Sequence, residues 1–302
     1  LQYKGGITVS TVILQVLERD LPELPPRAVD IIEELRDPNH IDRDVLVKLI
    51  NECGSLGDVV LRVMNSGYLS QVRRARSIED AILLVGLEST RNIILGVLLK
   101  SLFPKRHILE NFNRNDFLRH CLGTAVAAQM LYAASGLNAE HDPYKLVTYG
   151  FIHDIGVLAL DYCMPVTLNR IFKIATEENM PILEAEVKVL GRYTHSVIGE
   201  WVCNKWQLPE DICNVVKHHH APRRAVVNKQ ELVLIHIADT ISFNYYETLM
   251  ESTHIYGMDP SLVRSLGLSM KEIREVEAAL PARVERAMEV LDVEYLDGVR
   301  LF

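Results

Sequence analysis

Histidine and aspartate carry the chemistry of this sequence. His153-Asp154 sits in Tyr149 to Leu160, a largely apolar segment with helical patterning. An ionised aspartate buried there needs a partner or a metal, because burying it alone is very costly. Both side chains can reach one ion if the helix kinks or ends at that point, and Gly156 permits this. The dipeptide also fits a hydrogen-bonded core histidine beside a capping aspartate. Asp116 and His120 share one helical face, so the carboxylate can orient the imidazole or bind metal itself. A surface pair at a helix start has the same pattern. His195 opens an apolar helix, where a histidine also serves as a cap. His218, His219 and His220 precede Ala221-Pro222 at a helix C-terminus, where imidazoles also complement the helix dipole. Asp239 interrupts the apolar run Leu232 to Thr240, with His236 one turn earlier. A buried salt bridge would explain Asp239 equally well.

Each signal alone is modest. Their succession in one part of the chain is stronger: His, His-Asp, His, His-His, Asp. Neutral imidazole with carboxylate suits iron, manganese, zinc or nickel. Two carboxylates with several histidines could hold two divalent ions. A two-metal site clamps phosphoryl oxygens and generates a nucleophile near neutral pH.

The elements that must position these residues read as helices nearly throughout. Leu46, Leu49 and Ile50 form one apolar stripe, and Val59, Val60, Val63 and Met64 another. Ala81 to Val85 and Ile93 to Leu99 could pass for buried strands, but each lies in a longer pattern without strand-bounding turns, so both are expected to be helices. Pro25-Pro26 marks a helix start. Ser77 with Asp80 and Ser269 with Glu272 resemble capping boxes. Pro209 leads Glu210 and Asp211 into a first turn. Asn65-Ser66-Gly67 and Pro222 mark stops. Composition shifts over residues 101–116, and most histidines follow it. A lobe boundary is expected near residue 108, giving an N-terminal lobe of 1–107 and a histidine-rich lobe of 108–302.

Composition narrows the function classes. The 302 residues are 48% hydrophobic and 24% charged, which excludes a disordered chain. With 32 basic against 40 acidic residues the formal charge is −8, which argues against a broad nucleic-acid surface or adsorption to anionic membranes. Uninterrupted apolar runs such as Ile93 to Leu99 fall far short of the roughly 20 residues of a membrane span. Cys53, Cys121, Cys163, Cys203 and Cys213 are odd in number and widely spaced, as expected of free thiols in a reducing, cytoplasmic compartment. Leu1 to Gly6 has no charged-then-apolar leader pattern.

The order His120, His153-Asp154, His195, His219-His220, Asp239 resembles the HD superfamily of metal-dependent phosphohydrolases, and especially its HD-GYP branch of cyclic-di-GMP phosphodiesterases. Leu21 to Pro25, Asn65-Ser66, Ser77 to Ile82, Val85-Gly86-Leu87, Trp206 to Glu210 and His219 to Pro222 resemble the HDOD (HD-related output domain) family. That resemblance spans residues 18–290. It implies an all-α fold of two helical lobes, with a metal pocket in the second. By resemblance the metal ligands are His120, His153, Asp154, His195, His219, His220 and Asp239, around two divalent ions, iron or manganese before zinc or nickel. In HD-GYP proteins some members use an acidic residue one turn before the first histidine, and Asp116 matches it as a candidate for a third ion. His218 has no counterpart and is kept as an additional candidate. HD-GYP proteins follow His-Asp-Ile-Gly with lysine, but Val157 stands here. Their Gly-Tyr-Pro loop is missing; Arg223 and Arg224 stand in its place and could bind phosphate or be solvated surface.

HDOD proteins resemble regulatory output modules of bacterial signalling. The expected partners are therefore signalling proteins or a nucleotide ligand. The alternative is an active phosphohydrolase on a nucleotide or cyclic dinucleotide, in which His153 and Asp154 would be catalytic.

Overall fold

The computed structural model describes residues 9–35, 37, 40–65, 73–104, 107–137, 143–249 and 255–291. Ser66 and Gly67 of the first expected stop, with His141 and His254, lie outside the described residues. Every regular element among the described residues is helical: sixteen α-helices and one short 3-10 turn.

The chain begins with α1 (Val9–Asp20), α2 (Pro26–Leu35), α3 (Arg43–Asn51), α4 (Leu56–Asn65), α5 (Ile78–Val85) and α6 (Leu87–Ser101). The apolar stripes do what their spacing predicts. Leu46 and Ile50 of α3 are buried, as are Val59, Val60, Val63 and Met64 of α4. The strand-like runs are helical, in α5 and α6. Ser77 caps α5, its Oγ accepting from Asp80 N at 3.1 Å, while Asp80 accepts from Arg76 N. Asn65 does more than end α4. Its side chain donates to Ala75 O (2.8 Å) and accepts from Ala75 N (2.9 Å), so one amide pairs the backbone of the returning chain.

The Asn-rich run that follows is anchored rather than loose. Asn113 caps α7 (Arg114–Ala134) and Asn111 N donates to Asn169. Arg114, buried, pairs with Asp161 at 2.5 Å and also donates to Phe103 O. Alpha7 carries an almost unbroken buried run from His120 to Ala128, so it is central rather than amphipathic. Around it lie α8 (Pro143–Ile152), α9 (Ile155–Cys163), α10 (Pro165–Glu177), α11 (Ile182–Leu190), α12 (His195–Lys205), α13 (Glu210–His218), α14 (Lys229–Leu249), α15 (Pro260–Ser265) and α16 (Met270–Leu291). Alpha14, α8 and α16 pack on α7, and α12 packs on α9 and α13. The earlier helices join the later ones where α6 lies on α8, with Thr148 donating to Asn92 O, and where α1 packs on α9 and α11, and one apolar core runs through the described residues.

Counting unbroken apolar runs understates one segment. Lys145–Cys163 has the length and mean hydropathy of a membrane span, yet 89% of it is buried inside the fold. It is also broken, α8 ending at Ile152 and α9 starting at Ile155. The break puts His153 and Asp154 between two helices instead of inside one.

Candidate metal centre

The break between α8 and α9 aims the two side chains. His153 is wholly buried and its Nδ1–H donates to Gly150 O at 2.9 Å. That bond turns Nε2 inward. Gly156, the second residue of α9, allows the next contribution. A Cβ there would stand 1.9 Å from His195 O and 2.8 Å from Gly199 N. Only glycine lets α12 approach closely enough to present His195. The helix does end at His153-Asp154, one of the two outcomes the sequence allowed, and the glycine also serves close packing.

His195 is held from behind by Glu186 of α11, itself 1% exposed. Glu186 accepts from His195 Nδ1 at 2.8 and 2.9 Å and from the His195 backbone N–H at 2.9 Å. His219 follows α13 directly and its Nδ1–H donates to Val216 O at 2.9 Å. His236 Nδ1–H donates to His219 O at 2.8 Å, which ties that turn to α14. Ser242 of α14 and Thr124 of α7 both donate to His120 O. Asp239 projects from the same buried stretch of α14.

These side chains converge as two groups, each with its donor atoms within 4.8 Å of one another: Asp154, His195, His219 and His220, and His120, His153 and Asp239. The carboxylates straddle them. Asp154 Oδ1 lies 3.2 Å from His195 and from His219 Nε2, and its Oδ2 lies 3.6 Å from His120 and 3.3 Å from His153. Asp239 Oδ1 lies 3.2 Å from His120 and 3.4 Å from His153, with Oδ2 3.6 Å from His220 Nδ1. Imidazole nitrogens also face each other: His120 and His153 at 3.2 Å, His195 and His219 at 3.2 Å, His195 and His220 at 3.0 Å.

Charge is concentrated accordingly. Burial disfavours ionised Asp154, but His153 and His195 outweigh it and hold its pKa well below the usual carboxylate range. Asp239 is held down in the same way, chiefly by His120 and His153 against its burial. Burial would lower His195, but Glu186 and Asp154 prevail and push it up to about 9. His153 is raised well above its ordinary value by Asp154 and Asp239 against burial. Burial lowers His219, and burial with the neighbouring imidazoles lowers His220.

The donor set fits divalent cations. Asp154 Oδ1 is buried and makes no hydrogen bond. His153 and His219 each spend Nδ1–H on a carbonyl, so Nε2, which in His153 must first give up its proton, is the atom free to bind an ion. Nitrogens each about 2.1 Å from a shared ion stand roughly 3–3.4 Å apart, which matches the spacing here. The carboxylate–imidazole pair Glu186–His195 is the usual support behind a metal-binding imidazole.

The other sequence candidates fall elsewhere. Asp116 lines the adjoining cavity but pairs with Arg119 at 3.1 Å and stands outside both groups. His218 is half-buried and also outside them. Arg223 is exposed and pairs with Asp259 at 2.8 Å and Ser261 at 2.5 Å, away from the cavity. Arg224 is exposed and does not line it either. The cavity holds about 250 Å³. No Lys or Arg is among the described residues lining it; Val157 lines it, with Phe112, Phe117, Phe172, Phe243 and Tyr246. Glu186 and this aromatic wall escaped the sequence reading. For Glu186 the only sequence signal was a carboxylate on an apolar helix nine residues before a histidine.

The sequence matches the HDOD domain family over residues 21–222, more than half of the chain. The chain belongs to the HDOD family. An uncharacterized protein of Treponema pallidum (strain Nichols) is 26% identical to this HDOD chain over 208 residues. That covers 67% of this chain but 38% of the relative, so the chain spans well under half of it. Among solved structures, an HDOD domain protein of unknown function from Geobacter sulfurreducens is 22% identical with a TM-score of 0.68, covering 93% of this chain and 99% of its own. A protein provisionally named a phosphohydrolase, from Shewanella amazonensis SB2B, is 18% identical with a TM-score of 0.68, covering 92% and 97%. One provisionally named a signal transduction protein, from Marinobacter aquaeolei VT8, is 17% identical with a TM-score of 0.70, covering 94% and 65%. At these identities the likeness is one of fold. The family match ends at Pro222, short of the 18–290 that the motifs suggest, so Asp239 of the HDOD chain joins the cluster from outside the matched region.

Proposed function

We propose that this chain is an output module of bacterial signal transduction whose buried His/Asp cluster holds two divalent ions, iron or manganese, and which regulates by binding a protein or small ligand. Asp154, His195, His219 and His220 would hold one ion and His120, His153 and Asp239 the other. Asp154, with an oxygen toward each group, would be shared. Divalent ions there would supply Lewis-acid charge stabilisation to an oxygen-bearing ligand. Glu186 orients His195, and His236 holds the turn that carries His219.

The observation that carries the regulatory reading is the cavity wall. A complete donor set opens onto a cavity whose described lining has no Lys or Arg, with Val157 where HD-GYP proteins have lysine. A phosphodiester substrate would find no side-chain cation there to bind its charge or assist its leaving group. At about 250 Å³ the space is also small for a cyclic dinucleotide. The complete donor set is the one feature that favours the second reading, a metal-dependent phosphohydrolase.

The two separate experimentally. Metal-loaded protein is incubated with cyclic-di-GMP and bis(p-nitrophenyl) phosphate, beside His153→Ala and Asp154→Ala. The regulatory reading expects bound metal and no cleavage above that of free metal. Cleavage by the wild type, lost in both folded variants, would overturn it in favour of the enzyme.

A further inference from the structure

The cavity beside the cluster presents His120, Asp154, His195 and Asp239 together with aromatic rings brought from separate elements. Phe243 of α14 meets the His120 ring edge-on at 5.5 Å and packs edge-on against Tyr256 at 4.9 Å and 78°. Phe112, just before α7, packs against Phe172 of α10 at 5.0 Å. Tyr256 is fixed in this wall. Its backbone N–H and C=O both pair with Asn244 (2.8 and 3.0 Å), and its hydroxyl accepts from Ile182 N at 2.9 Å.

The geometry points to a flat aromatic molecule with one acidic oxygen, such as an aromatic carboxylate, as the ligand of this cavity. The inference rests on the metal-holding reading only for the oxygen. The aromatic wall stands without it. Rings stack and meet edge-on with flat π-surfaces at little cost in order. Aromatic side chains beside a polar cluster are a wall for an amphiphilic ligand, apolar body outward and oxygen toward the cluster. The lining also carries Asp116, Asp154, Glu186 and Asp239 with no Lys or Arg among its described residues. It therefore suits a ligand of low charge. A volume of about 250 Å³ is just below the span of drug-sized pockets, which sets the ligand at a ring or two.

Gly257 supplies the test. It is exposed at the rim, and no described atom lies within 4 Å of where its Cβ would stand. Gly257→Trp can therefore narrow the mouth without displacing the fold. Leu183→Glu, at another lining position, adds a repelling carboxylate. Binding of 2-naphthoate, 2-naphthol and acetate is titrated by calorimetry, with the metal content of each sample measured. The expected result is 2-naphthoate binding about a hundred-fold tighter than acetate, because the ring is buried. Gly257→Trp and Leu183→Glu should each weaken 2-naphthoate at least about ten-fold while retaining metal and melting temperature. Chelation should weaken 2-naphthoate and leave 2-naphthol unchanged. Naphthoate no tighter than acetate, or unaffected by both variants, overturns the ligand assignment. 2-Naphthoate binding that chelation leaves unchanged overturns the metal reading and leaves the aromatic site standing.

Discussion

Glu186 shows how much of the site depends on one carboxylate behind a ligand. It fixes the ring of His195 and, against burial, keeps that ring protonated up to a pKa of about 9. Glu186→Gln keeps the shape and removes the charge. We predict that metal affinity falls about 10–100-fold, read by competition with a chelating dye, with the helical circular-dichroism spectrum unchanged. The same charge sets a pH dependence. Metal-free His195 is protonated at pH 7, so binding at pH 7 should release protons and affinity should rise toward pH 9. Calorimetry in two buffers of different ionisation enthalpy counts those protons; a buffer-independent enthalpy would contradict the prediction. Stability of the metal-free protein follows from the same shifts. The folded pKa of His195 is raised, so its contribution is full below about 6.5 and is lost as pH rises through about 9. Asp154 and Asp239 are depressed, so theirs is present above about 3.9 and is lost as pH falls further. His219 and His220 are lowered, so theirs is present above about 6.5 and is lost as pH falls, and the melting temperature should be highest near pH 6.5. At this scale the sequence was most legible where a polar residue interrupts an apolar run, as Asp154 and Asp239 do. Glu186 was not legible, because a glutamate on a helix reads as solvated until the partner packed over it is known.

At the scale of elements, the site depends on two helices touching through a missing side chain. Gly156→Ala places a methyl group against His195 O, so α12 must move away from α9. We predict a loss of about 1–3 kcal/mol in urea unfolding, with weakened metal binding because His195 moves with α12. Unchanged stability would show that α12 can shift freely. The helices themselves were legible from periodicity, caps and prolines, including the two runs that imitate strands. The break at His153-Asp154 was less so. Both flanks are apolar, neither proline nor a positive-φ glycine marks the turn, and the chain stops being helical where two polar side chains must face one cluster.

For the whole molecule, a buried ion pair ties α7 to α9. Arg114 at the start of α7 and Asp161 of α9 are each about 3% exposed. Asp161→Ala leaves a buried guanidinium without its carboxylate, and we predict a loss of about 3–5 kcal/mol, seen as a lower urea midpoint. No sequence spacing links the two residues, since their partnership spans 47 positions. The all-helical architecture was legible because helix periodicity is local. The ring wall was not, because its members come from separate elements and share no spacing. The account as a whole turns on whether the seven donors hold metal. The direct measurement is elemental analysis of protein purified without a metal-affinity step, beside His153→Ala and Asp239→Ala. About two equivalents of iron or manganese in the wild type, reduced in both folded variants, is the predicted result. No metal, and none taken up after anaerobic reconstitution, would contradict it and leave the histidines a structural role.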